Sequence, residues 1–181
     1  SNTRIYGVHL SAIHSNVTER RRTYELQTMM DNIRSHTDSF HVLTGDFNTL
    51  APGELLDFRK LPGRLRALVW LSGGTVRWRT IQVVLDAGYI DGFRTLHPNA
   101  PGFTFPTWDP HVRLDYLFLP QPHRHRLVSS EIVQAGGVRE ASDHLPLLSV
   151  VDLSGPSAPG LEPPELGDVG VDVLEGDDVY P

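Results

Sequence analysis

Apolar and polar residues along the chain sort into short strand-like stretches and one strongly helical run. Arg4-Ile5-Tyr6-Gly7-Val8-His9-Leu10 alternates as a strand does, Phe40-His41-Val42-Leu43 is a brief apolar run, and Val112-Arg113-Leu114-Asp115-Tyr116-Leu117-Phe118-Leu119 has the strongest strand pattern of all. Glu131-Ile132-Val133 and Leu147-Leu148-Ser149-Val150-Val151 predict two more. After the first strand, Leu26, Met29, Met30 and Ile33 recur at i, i+3, i+4 and i+7, the spacing of one buried helix face, with Asn16 as a candidate cap and Glu19 in the first turn. Ile81, Val84 and Leu85 predict a short helix that Gly88 ends. The pattern is that of an α/β protein with amphipathic helices laid on a sheet.

Two segments fall outside this pattern. From Ala51 to Thr80, Pro52, Gly53, Pro62, Gly63, Gly73 and Gly74 punctuate an irregular stretch made basic by Arg59, Lys60, Arg64, Arg66, Arg77 and Arg79. Trp70 and Trp78 interleave with those charges, as partly buried anchors or as surfaces for stacking a base or an acyl chain. From Ser154 onward Pro, Gly and acidic residues dominate and periodicity is lost. The expected organisation is therefore one domain over residues 1–153 and an acidic, disordered tail over residues 154–181.

The tail changes the meaning of the net charge of −6. It begins beside Asp152, and from there to Pro181 eight acidic residues meet no Lys or Arg, which leaves 16 basic against 14 acidic residues in the rest. A body that close to neutral is not coated for tight, non-specific nucleic-acid binding, although a local basic stripe is compatible with it. The absence of cysteine excludes a disulfide framework and a thiolate metal site. No apolar run approaches membrane-spanning length, no obligate protein partner is evident, and the localisation is left open.

Candidate chemistry lies at the ends of the predicted strands. In Thr44-Gly45-Asp46-Phe47-Asn48-Thr49, Asp46 and Asn48 are two apart, which in an extended segment aims a carboxylate and an amide into one space while Phe47 packs the other way. That pair suits a hard cation or a phosphoryl oxygen, and it equally suits a turn whose side chains cap local backbone groups. Asp115 shares its strand face with Leu117 and Leu119, and a buried carboxylate requires a partner, either Arg113 or a histidine from another strand. Ser142-Asp143-His144 precedes the last strand, which places Asp143 and His144 at a sheet rim, and His9 ends the first strand. Arg20, Arg21 and Arg22 near the helix start are either a solvated face or a phosphate-steering group.

His9, Gly45-Asp46-Phe47-Asn48, Arg113-Leu114-Asp115-Tyr116 and Ser142-Asp143-His144, in this order and with Gly102-Phe103-Thr104-Phe105-Pro106 ahead of the Asp115 strand, resemble the endonuclease/exonuclease/phosphatase superfamily over about residues 3 to 152. This DNase I-like group includes deoxyribonuclease I, abasic-site endonucleases, neutral sphingomyelinases and inositol polyphosphate 5-phosphatases. The resemblance implies a four-layered α/β sandwich, with two face-to-face mixed β-sheets flanked by helices and a site for Mg²⁺ or Mn²⁺ at one rim. It implies hydrolysis of phosphodiester or phosphomonoester bonds, with nucleic acid, a phospholipid headgroup or a sugar phosphate as substrate.

By the same resemblance His9, Asp46, Asn48, Asp115 and His144 are catalytic. His9 contacts the phosphate, Asp46 helps activate water, Asn48 holds a phosphoryl oxygen or the metal, and His144, oriented by Asp115, works on the phosphate or the attacking water. Asp46, Asn48 and Asp143 are the implied metal ligands. The family's principal metal-binding glutamate and an accompanying asparagine precede the strand that ends in His9, so the resemblance implies a C-terminal part of the domain, an exposed sheet edge, and weak metal binding and hydrolysis by residues 1–181 alone. The alternative is a non-catalytic interaction module that keeps the fold.

Overall fold

The computed structural model describes residues 3–12, 16–35, 40–54, 60, 63 and 79–154. Trp70, Trp78, Arg59, Arg64, Arg66, Arg77 and the expected tail beyond Ser154 lie outside the described residues. The first strand, β1, is Arg4–His9, the long helix α1 is Asn16–Arg34, and β2 is His41–Asp46. Helix α2 (Arg79–Asp86) leads into β3 (Tyr89–Asp91) and the short α3 (Gly92–Leu96). Strand β4 (Asp115–Pro120), a 3-10 turn (Gln121–Arg126), β5 (Leu127–Ile132), α4 (Val138–Ala141) and β6 (Leu147–Val151) complete the order.

Four strands form one mixed sheet in the order β1-β2-β4-β3, with β1 parallel to β2 and the other pairs antiparallel. Strands β5 and β6 form a second, antiparallel sheet, so among the described residues one of the two sheets is mixed and the other is a single antiparallel pair. Period two divides the residues of the first sheet cleanly. Val8, Leu43, Tyr116 and Phe118 face Leu26, Met30 and Ile33 of α1 and Ile81 and Val84 of α2. Val42, Leu117 and Leu119 face the other way and meet Leu127, Leu147 and Val151 of the second sheet. Each fully buried side chain of this kind contributes about 1.5–3 kcal/mol by leaving water.

Helices, sheet and sheet are thus stacked as the α/β sandwich requires, with Val128 and Leu148 exposed on the second sheet. Among the described residues β1 pairs only with β2 and β6 only with β5, so each ends its sheet.

Charge as well as apolar area fixes the helices. The α1 face predicted from Leu26, Met30 and Ile33 extends back one turn to Arg22, which is 1% exposed and donates to Glu19 Oε2 at 2.9 Å and to the Ser11 carbonyl at 2.9 Å. The three arginines therefore differ: Arg22 is interior, Arg21 pairs with Glu25 at 2.9 Å, and Arg20 is exposed. Glu19 also accepts from the Arg79 and Thr80 N–H groups and the Thr80 hydroxyl, satisfying donors that the start of α2 would otherwise leave without partners. Burial by itself would raise the Glu19 pKa, but these hydrogen bonds and the charge of Arg22 hold it below its ordinary value. At the other end of α2, Gly88 adopts φ +84° and its N–H returns to the Leu85 carbonyl, the stop expected from sequence.

Candidate functional site

The ends of β2 and β4 lie side by side, with Asp46 opposite Asp115 in antiparallel register and His9 opposite Asp46 in parallel register. Gly45 makes this approach possible. At φ +137° it occupies a region closed to other residues, and a Cβ there would stand 2.1 Å from the Val8 carbonyl oxygen.

Asp46 and Asn48 share a space as expected, but through a turn instead of an extended chain. Asn48 has φ +50°, its backbone N–H donates to Asp46 Oδ1 at 2.8 Å, and its side-chain amide donates to Asp46 Oδ2 and to the Leu10 carbonyl, each at 2.9 Å. Because the Leu10 carbonyl only accepts, it fixes which end of the amide carries nitrogen. One amide hydrogen is then committed to Asp46 and the other to Leu10, which leaves Oδ1 as the acceptor of the Asn48 side chain. Phe47 packs away from the site, fully buried against Tyr116 and Phe118.

Asp115 takes the histidine of its two candidate partners. His144 Nδ1 lies 2.8 Å from Asp115 Oδ2, and its Nε2 lies 4.0 Å from Asp46 Oδ2. Arg113 turns instead to Asp91 and Glu54, both of which it contacts through its guanidinium. His9 joins from the rim with Nε2 3.9 Å from Asp46 Oδ2, its side chain 78% exposed. Asp143 is exposed, and its carbonyl accepts from the Thr107 N–H at 2.9 Å. A shallow cavity of about 250 Å³ opens beside Asp115 and His144 over Gly45 and Tyr116.

The electrostatics follow from this crowding. The hydrogen bond to Asp115 is the main cause raising the His144 pKa above 6.5, with the charges of Asp115, Asp46 and Asp143 acting in the same sense against burial. Burial is the main cause raising Asp46 above 3.8, helped by the charge of Asp115 and opposed by the Asn48 N–H. Asp46, Asp115 and His144 each offer one ligand atom, and those atoms lie within 4.8 Å of one another. Two carboxylates and an imidazole fit a divalent cation, the carboxylates suiting Mg²⁺ and the added nitrogen suiting Mn²⁺ as well. Asp143 is not in that group of three.

No protein-family model matches the chain, and no curated protein matches it in sequence. Solved structures do match. An AP endonuclease from Archaeoglobus fulgidus superposes with a TM-score of 0.59 at 23% identity, over 82% of this chain and 61% of that one. The 3′ phosphatase NExo from Neisseria, bound to product DNA hairpin, superposes with a TM-score of 0.58 at 19% identity, over 82% of this chain and 60% of that one. The 3′-5′ exonuclease NExo from Neisseria meningitidis gives 0.58 at 20% identity, over 82% and 60%. The chain has the DNase I-like fold. It spans about three fifths of the length of these structures.

Within this DNase I-like fold the five catalytic candidates meet at one rim, and three supports to which the sequence assigned no role hold them there. Thr104, fully buried, accepts from the Leu114 N–H at 3.1 Å and through its carbonyl from the Leu145 N–H at 2.7 Å, tying the start of β4 to the His144 segment. Thr107 donates its N–H to the Asp143 carbonyl and its hydroxyl to the Ser142 carbonyl. Tyr116, on the β4 face opposite Asp115, accepts from the Ala51 N–H at 2.9 Å, locking the segment that follows Asn48. A signal for the first two is the Thr-Phe-Pro-Thr spacing after Gly102, since buried threonines in a strand-poor segment need backbone partners.

Proposed function

We propose that this chain forms part of a divalent-metal-dependent phosphoesterase whose reacting groups gather around Asp46, Asp115 and His144. The observation that carries the reading is the Asp115–His144 pair at 2.8 Å, with the far nitrogen of the imidazole directed at Asp46 across an open rim. Asp115 accepts from Nδ1–H, so Nε2 is the nitrogen available to substrate. With its pKa raised, His144 favours the imidazolium, which donates a hydrogen bond and positive charge to a phosphoryl oxygen as charge grows there. Asp46 is placed to orient or take a proton from attacking water, and Asn48 keeps it aimed. His9 at the rim supplies a further contact for the phosphate. Asp46 and Asp115, with Asn48 and Asp143 as further candidates, would hold a divalent cation that supplies charge at the phosphoryl group.

A DNA phosphodiester or 3′-phosphate is the substrate class that the structural neighbours favour. Those neighbours are an AP endonuclease, a 3′ phosphatase and a 3′-5′ exonuclease. A non-catalytic module has no use for an oriented imidazole beside a carboxylate of raised pKa, which argues against that alternative.

The test is Mg²⁺- and Mn²⁺-dependent hydrolysis of bis(p-nitrophenyl) phosphate by residues 1–181 and by the longest reading frame that contains them. Turnover by the longer chain that EDTA abolishes and His144→Ala cuts sharply is the expected result. No metal-dependent turnover by either chain, or turnover indifferent to His144→Ala, overturns the proposal.

A further inference from the structure

Trp108 is 70% exposed, yet it stands on a turn that is held on every side. Thr107 before it is 1% exposed and makes both hydrogen bonds to the Ser142–Asp143 backbone, 3.1 Å from its hydroxyl and 2.9 Å from its N–H. After it, the Asp109 N–H returns to the Pro106 carbonyl at 3.2 Å, and the His111 and Val112 N–H groups return to the Phe105 carbonyl at 3.0 and 3.1 Å. The Asp109 carboxylate is engaged by Lys60 at 2.6 Å. A large apolar ring kept in water on a fixed mount forgoes the burial that would stabilise it, and its open face is available for stacking.

Its position supplies the rest. The Trp108 ring lies 6.3 Å from that of Phe105 at 64°, and the Phe105 ring lies 4.8 Å from that of His144. An aromatic wall therefore runs from the reacting imidazole out to an open indole face. We propose that Trp108 is a stacking platform for a nucleobase beside the scissile phosphate, which makes a nucleic-acid strand with an accessible base the substrate class of this site. The inference rests on the phosphoesterase reading above.

An acyl chain fits the platform poorly, because it needs contiguous apolar surface along its length and the flanking Asp109 and Lys60 are charged and 52% and 40% exposed. A base needs one flat ring, with a cation nearby for the backbone, and Lys60 places an ammonium group beside the turn.

The experiment measures binding of the 181-residue chain, in chelator so that hydrolysis is silent, to a short oligothymidylate and to a strand of equal length built from abasic tetrahydrofuran units. Wild type is expected to bind the base-bearing strand about tenfold more tightly, the effect of roughly one stacked base. With Trp108→Leu the two strands should bind alike, and Trp108→Phe, which keeps a ring, should retain most of the preference. Equal binding of both strands by wild type, a preference that survives Trp108→Leu, or no binding of either strand overturns the proposal. Trp108-dependent binding of phosphatidylcholine vesicles in place of oligothymidylate overturns it in favour of a lipid. Metal-dependent hydrolysis of bis(p-nitrophenyl) phosphate without base preference leaves the phosphoesterase reading standing and removes this one. A Trp108-dependent preference in a chain that hydrolyses nothing does the reverse.

Discussion

Arg113 and Asp115 stand two residues apart at the start of β4, and the charge clusters they enter differ in one respect that separates structure from chemistry. Arg113, 1% exposed, is enclosed with Arg94, Glu54 and Asp91, two cations matched to two anions. Arg94 is itself spent on Glu54 and on the carbonyls of His97, Pro98 and Ala100. Burial alone would lower the Arg113 pKa, and the hydrogen bonds and charge of Asp91, joined by Glu54, hold it above its ordinary value instead. Asp115 and Asp46, by contrast, are two carboxylates facing one imidazole, 18% and 20% exposed, and the pKa values of His144 and Asp46 are both raised. The larger cavity, about 550 Å³, borders Glu54, Asp91 and Arg94, so size alone would direct attention to the closed cluster. Matched charge builds a scaffold, whereas an excess of one sign at an open rim leaves groups able to exchange protons.

The difference can be broken most sharply at Asp115. Asp115→Asn nearly preserves shape but no longer stabilises a protonated His144, so in a chain that turns over substrate kcat should fall by roughly 10²–10⁴-fold with little change in the unfolding midpoint. His144→Ala should cost a similar factor, and the double variant should lose far less than the product of the two if they act as a unit. Fully additive losses in that cycle would make the pair a structural contact only.

At Arg113 the pattern should invert. Arg113→Met leaves Glu54 and Asp91 buried without their cation and should destabilise the fold by about 3–5 kcal/mol, read by urea denaturation. A variant as stable as wild type would show that the closed cluster is not the scaffold described here.

Protons give the smallest and most selective test. The folded-state pKa of His144 is raised, so its contribution to stability is complete below 6.5 and is lost as pH rises through the raised value. Glu19 is lowered, so its contribution is present above 4.5 and is lost as pH falls through the lowered value. Burial lowers His123, whose window therefore lies below 6.5 and does not overlap that of His144. With chelator present, the urea midpoint of wild type should fall as pH rises above 6.5, and His144→Gln should flatten that fall. Glu19→Gln should instead flatten the loss on the acid side. Unchanged slopes in either variant would mean that the titrating group lies elsewhere.

Much of this was legible because it was local. The strands around Val8, Leu43 and Leu117, the α1 face through Ile33 and the stop at Gly88 all follow from short-range period, whereas the need of a buried carboxylate for company left Arg113 and a histidine both open for Asp115, and only the family resemblance pointed to His144. What was not legible was set by distant partners. Glu19 looks like a first-turn acid, and only the fold brings Thr80, 61 residues later, onto it. Arg113 offered itself to Asp115 by proximity in sequence, but Asp91 and Glu54, 22 and 59 residues away, hold it. Arg22 carried a usable signal, since it lies four residues before Leu26 on the same helical face, though an arginine run reads as solvated until its carboxylate is known. The Asn48 turn was half legible. Its pairing with Asp46 was expected, and its left-handed backbone was not, because an extended segment and a side-chain-bonded turn bring the same two residues together.

Gly45 has a consequence of a different kind. The contact that rules out a Cβ there is made by the Val8 main chain, which is present whatever residue occupies position 8, so no second-site change of side chain can rescue a substitution at 45. Gly7, one step earlier on β1, meets nothing within 4 Å among the described residues, so a Cβ has room there. The fold itself therefore demands glycine at position 45, and a lineage that had abandoned the chemistry of Asp46 but kept the fold would still have to spell glycine immediately before it.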